Sequence, residues 1–168
     1  LNEYKSRNKL IDQNKIILNF ERKLVENDLL FGLNISKEYL MDLNYIEKSE
    51  KDVKNLGKED LLKKGFIGAE INECNEILLT EIIESNILED LSFEEIFGVI
   101  ALLVNEKNNE EYNYAKELDI SSKMIDTIKE IEEIQENLNC KASKYLVDSF
   151  DNLSYDFIES SYLWAKGH

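Results

Sequence analysis

The sequence contains no proline and only six glycines. Proline removes a backbone donor and glycine adds disorder to the unfolded chain, so both work against helices. A chain poor in both and rich in Glu, Lys, Ile and Leu is expected to be helical. Histidine occurs once, as the last residue, His168. No Ser–His–Asp or Cys–His group assembles around it. Cysteine occurs twice, at Cys74 and Cys140. That is no disulfide framework, and with His168 it falls short of the roughly four N or S ligands of structural zinc. A reduced, intracellular protein is expected. GxxxxGK[ST] is absent, which excludes a P-loop phosphate cradle; Gly65 and Gly68 alone make no dinucleotide fingerprint and suit close packing or a helix start. No apolar run reaches the length of a membrane span, about 18 residues. The opening LNEYKSRNKL has no signal-peptide character. It also lacks an initiator Met, as a segment of a longer polypeptide would. Positive charge is scarce: 20 Lys and Arg face 35 Asp and Glu, for a net charge of −15. Free-standing nucleic-acid binding needs clustered cations, and so does adsorption to anionic membranes. Both are disfavoured.

What is present reads as one domain with a small appendage. Hydrophobic residues make up 43% of the 168, enough for a core. Residues 1–35 form an N-terminal amphipathic helix leading into a helical domain at 36–168. Leu10, Ile17, Leu24 and Phe31 recur every seventh residue, with Phe20 between them. Gln13 and Asn27 spoil the other half of that seam, which favours a helix packed on its own domain or a neighbour over a dimeric coiled coil. A short helix over 36–46 starts with Ser36 as N-cap. The charged stretch EKSEKDVKNLGKED, Glu47 to Asp60, forms a loop or short hairpin-like excursion, and a helix starts near Leu61 or Gly65.

Two apolar segments follow around a turn at Ser85 and Asn86. The first is a helix from about Cys74 to Glu84. The second opens with the capping box Ser92-Phe93-Glu94-Glu95. From Ile96 to Val104 it is almost wholly apolar, so it is expected to be buried on every face. Asn105 to Glu111 is a polar loop. A helix from Ser122 to Asn139 carries Met124, Ile128, Ile131, Ile134 and Leu138 on one stripe. A last helix from Ala142 to Trp164 carries Leu146, Phe150, Leu153, Phe157 and Trp164. The expected fold is an all-α bundle of six to eight helices around a fully apolar central helix.

Chemistry is sparse. Glu70, Glu73, Glu76, Glu81 and Glu84 lack the Glu-x-x-His partners of a di-metal bundle site and read as a solvated face. Lys58, Lys63 and Lys64, the densest basic patch, read as surface.

The segment KGFIGAEINECNEILLTEIIESNILEDLSFEEIFGVIALLVNEKN, Lys64 to Asn108, resembles the DSHCT domain. This is the C-terminal helical domain of exosome-associated DExH-box RNA helicases of the superkiller and TRAMP-complex type. Lys64-Gly65 opens the family's entry pattern and Ala69-Glu70-Ile71-Asn72 closes it. Glu76-Ile77-Leu78-Leu79-Thr80-Glu81 is the second element, Leu91, Ser92, Glu94 and Glu95 the third, and Glu106-Lys107 the exit. Upstream, Tyr39 to Glu47 is similar to the family's Leu-Gly-Tyr-Ile-Asp segment. Downstream, SSYLWAKGH is similar to its closing Trp-x-x-Gly motif.

The resemblance implies a scaffold part of an ATP-dependent RNA helicase that unwinds RNA 3′-to-5′ for processing or decay with the exosome. Its partners would be RecA-like motor modules, single-stranded RNA reached through the assembled helicase, and the exosome or its adaptors, with no membrane. ATP and Mg would belong to the parent helicase. This chain would hold no cofactor, no metal and no catalytic residue. Its motif positions are Gly65, Glu70, Glu76, Leu78, Leu79, Thr80, Glu81, Leu91, Trp164 and Gly167, in structural roles. Trp164 is expected to anchor the last helix in the core. Phe66 stands where the family usually has Arg, the Lys48–Leu62 connection is longer than usual, and the chain stops at His168, before the family's ratchet helix. The competing reading is a stand-alone acidic helical adaptor with no motor. The isolated chain should hydrolyse no ATP and bind single-stranded RNA weakly and with steep salt dependence. Fluorescence anisotropy showing tight binding at physiological salt would contradict this.

Overall fold

A chain without proline must end its helices by other means, and four of its six described α-helices do so by left-handed residues. The computed structural model describes residues 2–103, 119–150 and 153–168, apart from the side chains of 2–14, 16 and 20. Helix α1 (Asn2–Asp42) ends at Asn44, whose φ is 61°. The Asn44 N–H donates to Met41 O at 3.2 Å and the Tyr45 N–H to Leu40 O at 2.9 Å. These two bonds make a Schellman motif, which satisfies the last carbonyls of a helix. Helix α5 (Ser122–Lys144) ends the same way. Leu146 takes a φ of 56°, and the N–H groups of Leu146 and Val147 donate to Ser143 O and Ala142 O. Helix α6 (Ile158–Ala165) closes on Gly167, with φ 86°, through bonds from Gly167 to Trp164 O and from His168 to Leu163 O. The other helices are α2 (Lys63–Ala69), α3 (Glu76–Glu84) and α4 (Phe93–Ile100). The fold is all-α, with six α-helices and no strand among the described residues.

Helix α1 runs through Ser36 without a break. The Ser36 hydroxyl donates back to Gly32 O at 3.1 Å, so it caps nothing. From Lys15 to Asn34 every described side chain is exposed except half-buried Leu30. Ile17, Leu24 and Phe31 therefore do not pack on the chain's own core. Only the last turns of α1 enter it, through Tyr39, followed by Leu43 just past the helix end.

The expected excursion is present as two 3-10 turns, Val53–Asn55 and Lys58–Asp60, closed by an antiparallel bridge between Ile46 and Leu61. Buried Asp60 holds it together, accepting from Lys51 Nζ at 2.5 Å and from the Gly57 N–H at 2.9 Å. The hydrogen bond from Lys51, helped by that from Gly57, keeps the Asp60 carboxyl below its ordinary range.

The core stripe belongs to α5. Met124, Ile128, Ile131, Leu138 and Ala142 are buried on one face and Ile134 is half-buried beside them. That face lies along α3 and α4, and its far end meets Tyr39 of α1, whose ring lies 5.8 Å from that of Tyr145. Helix α4 is not the all-round buried post that its composition suggested. Gly98, Val99, Ala101, Leu102 and Leu103 are buried, but Phe93, Phe97 and Ile100 are exposed. The cause is one-sided cover. A Cβ at Gly98 would meet Met124 Cε at 2.7 Å and Tyr162 Cβ at 3.0 Å, so α5 and α6 crowd that face alone. The expected last helix is also broken. The apolar stripe of α5 stops at Ala142, Leu146 turns the chain, and the Phe150 N–H is taken by Asn139 Oδ1 at 2.7 Å. Val104, the Asn105–Glu111 loop and the Glu106–Lys107 exit lie outside the described residues.

Gly65 is buried where a Cβ would collide with the carbonyl oxygen of Tyr45, while nothing lies near a Cβ at Gly32. Backbone cannot step aside as a side-chain tip can. Gly65→Ala should cost about 1–3 kcal/mol of stability in urea denaturation, and Gly32→Ala should cost none.

Candidate functional site

The motif positions separate into two places. The first is the junction of α1, α2 and α3. Lys64 on α2 donates to both carboxylate oxygens of Glu81 on α3, at 2.6 and 2.8 Å, and to Leu43 O at 3.2 Å. Its ammonium lies 5.4 Å from the centre of the Tyr45 ring. Both members of the ion pair are mostly buried. Breaking it costs about 1.5–3 kcal/mol, the range for hydrogen bonds to charged groups. The Tyr45 hydroxyl donates to Ile77 O at 3.1 Å. Burial, then the Glu81 carboxylate, pushes that phenol far above its ordinary range. The same two causes, burial first, push Tyr39 to about 12. Asn75 caps α3 by accepting the Leu78 N–H at 2.9 Å. Fully buried Thr80 donates to Glu76 O at 2.7 Å, so its polar group is spent inside α3.

This junction collects Gly65, Leu78, Thr80 and Glu81, with Leu79 half-buried against the core. Glu70 and Glu76 are exposed, one at the end of α2 and the other at the start of α3. Leu91 is buried ahead of α4. Two of the three lysines of the basic patch are paired: Lys63 meets Glu84 at 2.9 Å and Lys64 meets Glu81. Hence two of the five carboxylates are ion-pair partners. Among the described residues no three His, Cys, Asp or Glu side chains could hold a metal ion. Cys74 and Cys140 are free thiols, and burial pushes the Cys74 thiol up.

The second place is the surface of α4 and α6. Phe93, Phe97 and Ile100 lie on one stripe of α4, at i, i+4 and i+7. They are 74%, 42% and 39% exposed. Trp164 on α6 joins them: its ring lies 5.5 Å from Phe97, and Phe97 lies 6.4 Å from Phe93. At 69% exposed, Trp164 is a surface residue and not the expected core anchor. The register explains the error. The Leu146-to-Trp164 stripe assumed one helix, but the helical phase restarts at α6, where Ile158 points inward. Gly167 serves as the helix stop, and its N–H reaches the Trp164 carbonyl at 3.0 Å. That bond requires the three-residue spacing of the Trp-x-x-Gly motif. Sequence reasoning missed Phe93 and Phe97. The available signal was a second stripe on α4, Phe93, Phe97 and Ile100, turned away from buried Gly98 and Val99.

The ends of this face are held firmly. The Ser92–Glu95 capping box is formed, with the Ser92 N–H donating to Glu95 at 2.8 Å and the Glu95 N–H to Ser92 Oγ at 3.3 Å. Glu95 also accepts from Ser121 Oγ at 2.5 Å, tying α4 to the start of α5. That bond, then those from Ser92, hold its carboxyl below the ordinary range.

The DSHCT (NUC185) domain family model matches residues 58–168. A DExH-box ATP-dependent RNA helicase of Arabidopsis thaliana, DExH9, is 30% identical over 106 residues. That stretch is 62% of this chain and 10% of the helicase, so the chain spans about a tenth of that relative's length.

Trp164 is the sole tryptophan, and its emission should be that of water-exposed indole. Trp164→Ala should cost about 0.5–1.5 kcal/mol, the worth of one aromatic pair. A loss of about 3–5 kcal/mol in urea denaturation, as for a truncated core tryptophan, would contradict the placement.

Proposed function

The chain belongs to the DSHCT (NUC185) domain family, and from that premise we propose that it is the helical scaffold of an ATP-dependent RNA helicase. In this reading the parent protein unwinds RNA 3′-to-5′ inside the cell for processing or decay with the exosome. The chain carries no chemistry. ATP and Mg are handled by RecA-like motor modules elsewhere in the same polypeptide or complex, and this domain packs on them and helps close the channel through which single-stranded RNA passes.

The observation that carries the reading is the aromatic face of α4 and α6. Four large apolar side chains are exposed, three of them with adjoining rings, and their helices are fixed to the core by the opposite face. Exposed contiguous apolar surface of this kind marks protein contact, and aromatic residues dominate the energetics of such contacts. A net charge of −15 suits a wall beside RNA better than a surface that grips it.

The test is Phe97→Ser with Trp164→Ser in the full-length parent protein. RNA unwinding should fall by about tenfold or more, as for loss of an aromatic contact, with ATP hydrolysis less affected and the isolated chain still folded. Unchanged unwinding would remove the aromatic face from the motor contact. A parent reading frame without helicase motifs would leave the adaptor reading instead.

A further inference from the structure

A second surface feature lies away from the aromatic face and shares no residue with it. A groove of about 660 Å³ opens between the end of α1, helix α2, the start of α3 and the segment 147–150. Gly65 and Gly68 contribute no side chains to it, and Leu40, Ile71, Ile77 and Phe150 line its sides. Among the described residues, the charged ones that line it are Glu76 and Asp148, with no Lys or Arg. Exposed Glu70 and Glu73 lie in the same connection between α2 and α3.

The wall made by 147–150 is built at a cost. Leu146 has a positive φ although it is a bulky, exposed residue, a conformation that costs about 1–2 kcal/mol. The bonds from Val147 to Ala142 O and from Phe150 to Asn139 Oδ1 hold the segment there. The groove is therefore preformed, which lowers the ordering cost of an occupant. Its apolar lining takes a large aliphatic or aromatic side chain. Its one-sign rim selects a positive neighbour and rejects a negative one.

We propose that this groove docks a protein segment in which a large apolar side chain sits beside lysine or arginine. The occupant is a peptide with basic flanks, an interaction beyond the scaffold role and independent of it.

The experiment uses the 168-residue chain, labelled with nitrogen-15 and titrated with short synthetic peptides that carry leucine or phenylalanine between arginines. Amide signals of Gly68, Ile71, Ile77 and Val147 should shift in a saturable manner. Peptides with serine in place of the apolar residue, at equal charge, should leave them in place. Glu76→Lys with Asp148→Lys should weaken binding by about tenfold or more, the scale of an interfacial charge reversal. Glu133→Lys with Glu136→Lys, the same charge change on the exposed face of α5, should not. The proposal is overturned if the groove signals do not move, if the serine peptides move them equally, or if the two double variants weaken binding alike.

Discussion

Tyr45 is the point at which the first half of the bundle is fastened. Its N–H ends α1 by reaching Leu40 O, and its carbonyl accepts the Leu62 N–H at 2.9 Å ahead of α2. The same carbonyl leaves no room for any side chain at Gly65. Its ring lies against Gly68 and under the Lys64 ammonium, and its hydroxyl reaches α3 at Ile77. One residue thus sets how α1 stops, where α2 begins and how closely α3 approaches. The absence of a side chain at Gly65 is a consequence of that crowding. Glu81 and Lys64 then close the same junction with charge, in a setting where each would be costly alone.

Much of this was legible in the residues. The capping box at Ser92 and Glu95 is a local signal, decided by two side chains and the backbone between them, and the structure has it as read. The stripe of Met124, Ile128, Ile131 and Leu138 is equally local, since helical spacing alone puts those residues on one face. The turn at Ser85 and Asn86 rests on asparagine's tolerance of positive φ, which is 60° there. The family signature in the α2–α3 segment pointed to the family that the comparison returned.

What was not legible depended on partners far away in sequence. Leu146 gives no sign of a helix stop, because leucine resists the conformation it adopts; the turn is imposed by Asn139 and by the packing of the segment beyond. Once that stop was missed, the phase of α6 was wrong, and Trp164 was placed inward. The apolar run of α4 posed a different problem. Composition records how much apolar surface a helix has, but not how many neighbours arrive to cover it. Gly98 brings α5 and α6 onto one face, and Phe93 and Phe97 are left outside. Ser36 failed as a cap because the helix before it never ended.

The length of α1 has a mechanical consequence. At a rise of about 1.5 Å per residue a helix of 41 residues is about 60 Å long, and only its last turns are rooted in the core. Such a rod turns angle into distance. A tilt of about 10° at the Tyr39–Asn44 root carries the far end sideways by about 10 Å, while the residues at the root move by a small fraction of that. Packing around Tyr39, Leu43 and Tyr45 is therefore a pivot, and small changes in it are magnified along the arm.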